Sequence, residues 1–186
     1  MKKICLVVGN TLPVPAVMGG AVEELITMLL DQNEVEHKVE FIIFSRENKK
    51  AEREAKKYKY SRIIYIPDDT VLDKVNNRIR RYASSVLKPG TLLDSGYYRK
   101  IYHILRNINC DAIVCEGGLY HEFRQFAKKF GKEKTYLHIH HHVMADPEYD
   151  EIFGNIIAVS EFAKKEWLRT TKHKKTGAHV VYNCVN

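Results

Sequence analysis

Three short stretches of the chain hold residue types that can do chemistry. The first is LPVPAVMGGAVEE at positions 12–24, where Gly19-Gly20 stand between a short apolar segment and one of helical periodicity. Glycines at a strand-to-helix passage let the backbone approach a ligand closely, and the unpaired N–H groups of a starting helix favour an anion, so this loop suits a phosphate or diphosphate. A plain turn entering a helix reads the same way, and neither GxGxxG nor GxxxxGK[ST] occurs to decide between them. The second stretch is EGGLY at 116–120, in which Glu116 can accept hydrogen bonds from hydroxyls or act as a base and Tyr120 can cover the apolar edge of a ring. A turn with a helix cap accounts for it equally well. The third is the group His138, His140, His141 and His142. On a strand, His138 and His140 share one face, which makes half a metal site. No Cys, Asp or Glu stands at a recognisable ligand spacing, and structural zinc takes four ligands. No metal is therefore expected, and a hydrogen-bonding role competes with the simple polarity of a strand end.

Bringing these stretches together requires alternating strands and helices. Residues 4–8 form an apolar, β-branched run, followed by a helix whose Val22, Leu25, Ile26 and Leu29 face inward while Glu23, Glu24, Thr27 and Asp31 face out. Strands follow at 37–44 and 61–67, with a polar helical connection at 47–58 between them. Helices are predicted over 71–87 and 95–108, separated by the breaker Pro89-Gly90, then a strand at 112–115 and a helix at 119–130 closed by Gly131. Strands at 135–139, 155–159 and 178–182 complete the pattern, with Ser160 capping a helix at 161–169. Short buried strands alternating with helices specify an α/β, Rossmann-like domain with a mostly parallel sheet of about seven strands flanked by helices. Ligands gather at the carboxyl ends of such strands, where the loops beginning at Asn10, Glu116, His140 and Ser160 lie. Asp146 and Glu148 read as loop solvation.

At 186 residues, with 45% apolar and 28% charged content, the chain suits one soluble globular domain. No apolar run approaches the ~18 residues of a membrane span, and the start MKK leads into a strand without a cleavage site, so a cytoplasmic location is expected. Cys5, Cys110, Cys115 and Cys184 lack metal spacing and read as reduced packing residues. A net charge of +7 and a pI near 9.1 point to an anionic partner. Nucleic acid is one candidate, but there is no RNP1-like motif, KH loop or zinc finger, and none is expected to bind. An anionic membrane is another. Over 71–88, Leu72, Val75, Ile79, Tyr82, Ala83 and Val86 make one apolar stripe beside Lys74, Arg78, Arg80, Arg81 and Lys88. Such a helix either lies peripherally on the inner face of a plasma membrane or packs its stripe on the sheet, and periodicity alone does not separate the two.

The Gly19-Gly20-Ala-Val-Glu entry, the His138-Ile-His140 strand end, the segment IIAVSE at 156–161 and the closing VVYNCVN at 180–186 occur in an order that resembles the N-terminal, acceptor-side half of family 4 glycosyltransferases of the GT-B fold. The resemblance spans essentially the whole chain. It implies an N-terminal domain over 1–182, the start of an interdomain hinge at 183–186 with Cys184 where glycine is common, and a donor-binding C-terminal domain beyond. It further implies retaining transfer from a nucleotide-diphosphate sugar, a UDP- or GDP-sugar, to a surface polysaccharide, glycolipid or glycoprotein acceptor, lipid-linked ones included, with no cofactor or metal. In that frame Gly19 and Gly20 serve the donor diphosphate and His140 stands beside the donor sugar as the catalytic histidine. Glu116, Tyr120, His138 and Ser160 serve acceptor or sugar binding, Ser160 doubling as a helix cap. This half alone is expected to be inactive. A partner-binding α/β module, or another Rossmann-like sugar-nucleotide enzyme such as an epimerase, stays open beside this reading.

Overall fold

The apolar runs become strands. In a computed structural model describing residues 1–88, 90–140, 147–171 and 177–183, the strands are β1 (Lys2–Val7), β2 (Val39–Arg46), β3 (Ser61–Ile66), β4 (Ala112–Cys115), β5 (Thr135–Ile139), β6 (Asn155–Ala158) and β7 (Gly177–Val180). Between them run α1 (Ala21–Glu36), α2 (Lys49–Glu54), α3 (Val71–Val86), α4 (Gly96–Leu105), α5 (Phe123–Phe130), α6 (Pro147–Ile152) and α7 (Glu161–Thr170). The strands form one open sheet in the order β3-β2-β1-β4-β5-β6-β7, and every neighbouring pair is parallel. The fold is α/β and Rossmann-like.

The inner strands carry unbroken apolar runs, residues 4–7 of β1 and 41–44 of β2, because both of their faces are covered there. Cys5, Leu6 and Val7 of β1 and Ile42, Ile43 and Phe44 of β2 are all buried, alternate residues entering opposite cores. One core joins Leu6 and Ile43 to Ile26 and Leu30 of α1. The other joins Val7 and Phe44 to Ile101 of α4, Phe126 of α5 and Trp167 of α7. Each large side chain taken fully from water contributes roughly 1.5–3 kcal/mol, so these two layers hold the strand ends, and whatever projects from them, in place.

Several local expectations are corrected. The inward face of α1 is rotated: Leu29 is exposed, Leu30 is fully buried, and Glu23 is buried because its carboxylate folds back against Gly20 beside Leu12. His37 does not enter β2. It takes a left-handed conformation (φ 52°) that ends α1, its N–H donating to the carbonyl of Asn33. Glu148 is not loop solvation but part of α6, 2.7 Å from the Arg124 guanidinium. Pro89, His141, His142, Asp146 and residues 184–186 of the expected hinge, Cys184 among them, lie outside the described residues.

The stripe of α3 does not pack on the sheet. Val71, Leu72, Val75, Ile79, Tyr82 and Val86 are 55–82% exposed. The helix is anchored instead by its polar side. Asn77 donates to Asp69 (2.7 Å) and accepts from Arg99 (2.8 Å), Asp73 pairs with Lys100 (3.1 Å), and Arg80 donates to the carbonyl of Leu93 (3.3 Å). A reciprocal Thr70–Asp73 capping box fixes its start. No helix among the described residues is long and apolar enough to cross a membrane.

Candidate functional site

β1 is an inner strand of the sheet, between β2 and β4. The chain leaves β1 towards β2 and leaves β4 towards β5, so the two connections diverge and open a crevice at the carboxyl ends. A cavity of about 360 Å³ lies there, lined by Gly9, Thr11, Leu12, Gly20, Glu23, Glu116, Gly117, Tyr120 and His140 among others. Gly20, Glu116, Tyr120 and His140, separated by up to 120 positions in the chain, thus meet in one place.

The loop before α1 is held rigidly from three sides. The Val14 N–H donates to Ser45 Oγ (2.8 Å), the Tyr65 hydroxyl donates to the Val14 carbonyl (2.9 Å), and the Ala16 N–H donates to Thr27 Oγ1 (3.0 Å). Gly20 caps α1 at φ 106°, ψ 121°, a conformation that side-chain-bearing residues rarely adopt. A Cβ there would also come within 2.7 Å of Leu12 Cδ1. Gly19 behaves differently from expectation. It does not line the cavity, and its N–H is spent on the Ala16 carbonyl at 3.2 Å. The first-turn residues Ala21, Val22 and Glu23 line the cavity instead, and their N–H groups precede the first intrahelical bond, from Glu24 to Gly20 at 2.8 Å.

The opposite wall comes from β4 and β5. Their register sets Cys115 opposite Leu137, so the next residue on each strand, Glu116 and His138, are neighbours, and His140 follows on the same face. Glu116 Oε2 accepts from both His138 Nδ1 (2.8 Å) and His140 Nε2 (2.9 Å), and the two rings lie 4.0 Å apart. Burial pushes the Glu116 carboxyl up, but the hydrogen bonds and charge of the two histidines overcome it and draw it down to about 2. The carboxylate is therefore an acceptor, and the ring nitrogens facing it carry the protons. Among the described residues, the other two ring nitrogens, His138 Nε2 and His140 Nδ1, are buried and have no hydrogen-bond partner, and His140 forms part of the cavity wall.

Two tyrosines in the first turn of α4 tie the walls together. The Tyr97 hydroxyl donates to the Val8 carbonyl at the end of β1 (3.0 Å). The Tyr98 hydroxyl donates to the Gly117 carbonyl (3.3 Å) and accepts from the Leu119 N–H (3.0 Å). Neither tyrosine was marked by a motif. Glu23 was also missed as a cavity residue, though an acid in the third position of a helix that starts at Gly20 is a signal of a side chain turning back on the helix start.

The sequence expectation that no carboxylate completes a ligand set is corrected. Ligand atoms of Glu116, His138 and His140 lie within 4.8 Å of one another, as do those of Asp94, His121 and Glu122. The first group has the composition of a two-histidine, one-carboxylate metal site. Metal-bound imidazoles usually donate their second N–H to a partner, which His138 Nε2 and His140 Nδ1 lack here, so the geometry fits a hydrogen-bonded clamp better than a metal centre. Ser160 lies outside the cavity, where its Oγ accepts the Ala163 N–H (3.1 Å) and caps α7. A second, more open hollow of about 520 Å³ between α1 and α2 is lined by Glu24, Lys50, Glu54 and Lys57 among others, without buried unpaired groups converging on it. A scan against models of known protein families finds no match for this chain, and a search of curated proteins finds no relative.

Proposed function

We propose that this chain is the acceptor-side domain of a retaining glycosyltransferase, which transfers a sugar from a nucleotide-diphosphate donor, and that the cavity between β1 and β4 holds the sugar and diphosphate. The observation that carries the reading is the Glu116 clamp, which holds the His140 ring in the cavity wall beside a glycine-opened helix start. A ligand rich in hydroxyls suits a wall of Glu116, Tyr120 and His140, and one with a diphosphate suits the helix start.

In this reading the His140 ring lies against the donor sugar, and its bond to Glu116 holds it in one orientation. Tyr120, packed edge-on against Tyr149 with centroids 5.2 Å apart, covers an apolar ring edge. As the glycosidic bond breaks, negative charge grows on the departing diphosphate, and the first-turn N–H groups of Ala21 and Val22 stabilise it. The Glu23 carboxylate rests against Gly20, where it satisfies the positive end of the helix until donor binding displaces it. Nucleotide recognition and the choice of donor fall to a second domain beyond residue 186, and the acceptor is a polysaccharide, glycolipid or glycoprotein.

The test is a transfer and donor-hydrolysis assay of the full-length protein against a panel of UDP- and GDP-sugars, beside a Gly20→Trp variant whose bulk fills the loop. Turnover of one donor, abolished in the variant, supports the reading. No turnover of any donor, or sugar transfer by residues 1–186 alone, overturns it.

A further inference from the structure

The most unusual surface of the molecule is the outer side of α3. In an ordinary surface helix the apolar arc faces the body and the polar arc faces water. Here the arrangement is reversed. Asn77 and Ser84 are the buried residues, and Val71, Leu72, Val75, Ile79, Tyr82 and Val86 stand in solvent over about four turns. The anchors on the inner side are polar and specific, running from Asn77 and Asp73 to Asp69, Arg99 and Lys100. The helix is fixed with its apolar arc outward.

Charge identifies what covers it. Residues 71–88 hold five cations and one carboxylate. Lys74, Arg78 and Arg81 are exposed along one border of the apolar arc, and among the described residues none of the three pairs with a carboxylate. Aliphatic side chains bordered by unneutralised cations match the boundary between acyl chains and anionic headgroups. A nucleic acid would use the cations but gain nothing from exposed Val, Leu and Ile. We propose that α3 is a peripheral membrane anchor, lying in the plane of an anionic bilayer with Leu72, Val75, Ile79 and Val86 inserted and Lys74, Arg78 and Arg81 against headgroup phosphates. The proposal does not depend on the reaction assigned to the cavity. Its geometric consequence does reach that far, because α3 is bonded to α4, and the first turn of α4 ties the cavity walls through Tyr97 and Tyr98. The bilayer surface is then one helix away from the crevice.

The experiment is flotation of the 186-residue chain with vesicles of phosphatidylcholine alone or mixed with phosphatidylglycerol. Two variants run beside it, Leu72→Glu/Ile79→Glu on the apolar arc and Arg78→Gln/Arg81→Gln on the border. All four positions are exposed, and the emission of the single, buried Trp167 reports that each variant is folded. The chain is expected to float with anionic vesicles only. Loss of each cation lowers partitioning about fivefold, and the apolar variant loses at least about tenfold. Absence of binding to anionic vesicles, or binding that the apolar variant retains, overturns the proposal. So does a wild-type dimer in sedimentation that the apolar variant dissociates while neither protein floats, which would make a second copy the cover.

Discussion

Replacing Glu116 by glutamine keeps the shape of the histidine clamp and removes its charge. The carboxyl is drawn to about 2 from an ordinary 4.5, and each unit of such a shift is about 1.4 kcal/mol in favour of the ionised form in the native state. The clamp therefore contributes on the order of 3 kcal/mol near neutral pH. Bond counting gives the same scale. Two charge-assisted hydrogen bonds, at 2.8 and 2.9 Å, become neutral ones, each weaker by about 1 kcal/mol. A depressed carboxyl pKa means that the stabilisation is present above the ordinary value of 4.5 and is lost as pH falls through about 2. Urea unfolding of Glu116→Gln at pH 7 should show a deficit of about 2–3 kcal/mol, with a melting temperature lower by roughly 5–10 °C for a chain of this size. The deficit should shrink to about half near pH 3. A variant as stable as wild type at neutral pH, or a deficit that does not shrink on acidification, would refute an ionised clamp. In the full-length protein the same change should lower transfer by about a hundredfold through a misaligned His140.

Other consequences follow from single side chains. Gly20→Ala forces a methyl group onto φ 106° and towards Leu12, so it should cost about 1–3 kcal/mol. Gly19→Ala, where a Cβ meets nothing within 4 Å, should cost less, and equal losses of melting temperature would contradict the account. Burial and the neighbouring Asp94 carboxylate push Glu122 up to about 9, so the native state keeps a proton that the unfolded chain releases above its ordinary 4.5. Wild-type stability should therefore fall between those values, and Glu122→Gln should gain on wild type as pH rises towards 9, measured by urea unfolding; a gap that stays constant would mean that Glu122 is already ionised when folded. Chelators should leave the melting temperature unchanged, whereas a rise on adding zinc that Glu116→Gln removes would make the clamp a metal site.

The sheet was legible because doubly covered strands carry unbroken apolar runs, and those at 4–8 and 112–115 say so directly. The convergence of Gly20, Glu116 and His140 followed from the rule that loops at carboxyl ends share one edge. What bonds to what did not follow. The Glu116–His138 contact depends on the register between β4 and β5, which sets residues 22 positions apart side by side, and a one-residue slip would turn the histidines to the other face. The stripe of α3 was plain in the sequence, but periodicity fixes only which residues share a side, and its direction was decided by Asn77, Asp73 and Arg80 finding partners on the body. Glu23 looked solvent-facing because charge is a good guide to exposure except where a backbone turn brings a side chain back over a glycine.

The inner position of β1 has a consequence for how the chain comes into being. β1 is synthesised before the other strands of this sheet, yet its partner β4 arrives late: the Lys3 N–H meets the Asp111 carboxylate 108 positions further on. Closing so long a loop costs entropy before any contact rewards it, and parallel pairings of this kind are intrinsically slow to form. Until Glu116 and the strand holding His138 have left the ribosome, the crevice has one wall and β1 presents an open apolar edge. The crevice therefore closes only once β5 has followed β4, and β1 stays open to mispairing through the long interval between the third and fourth strands.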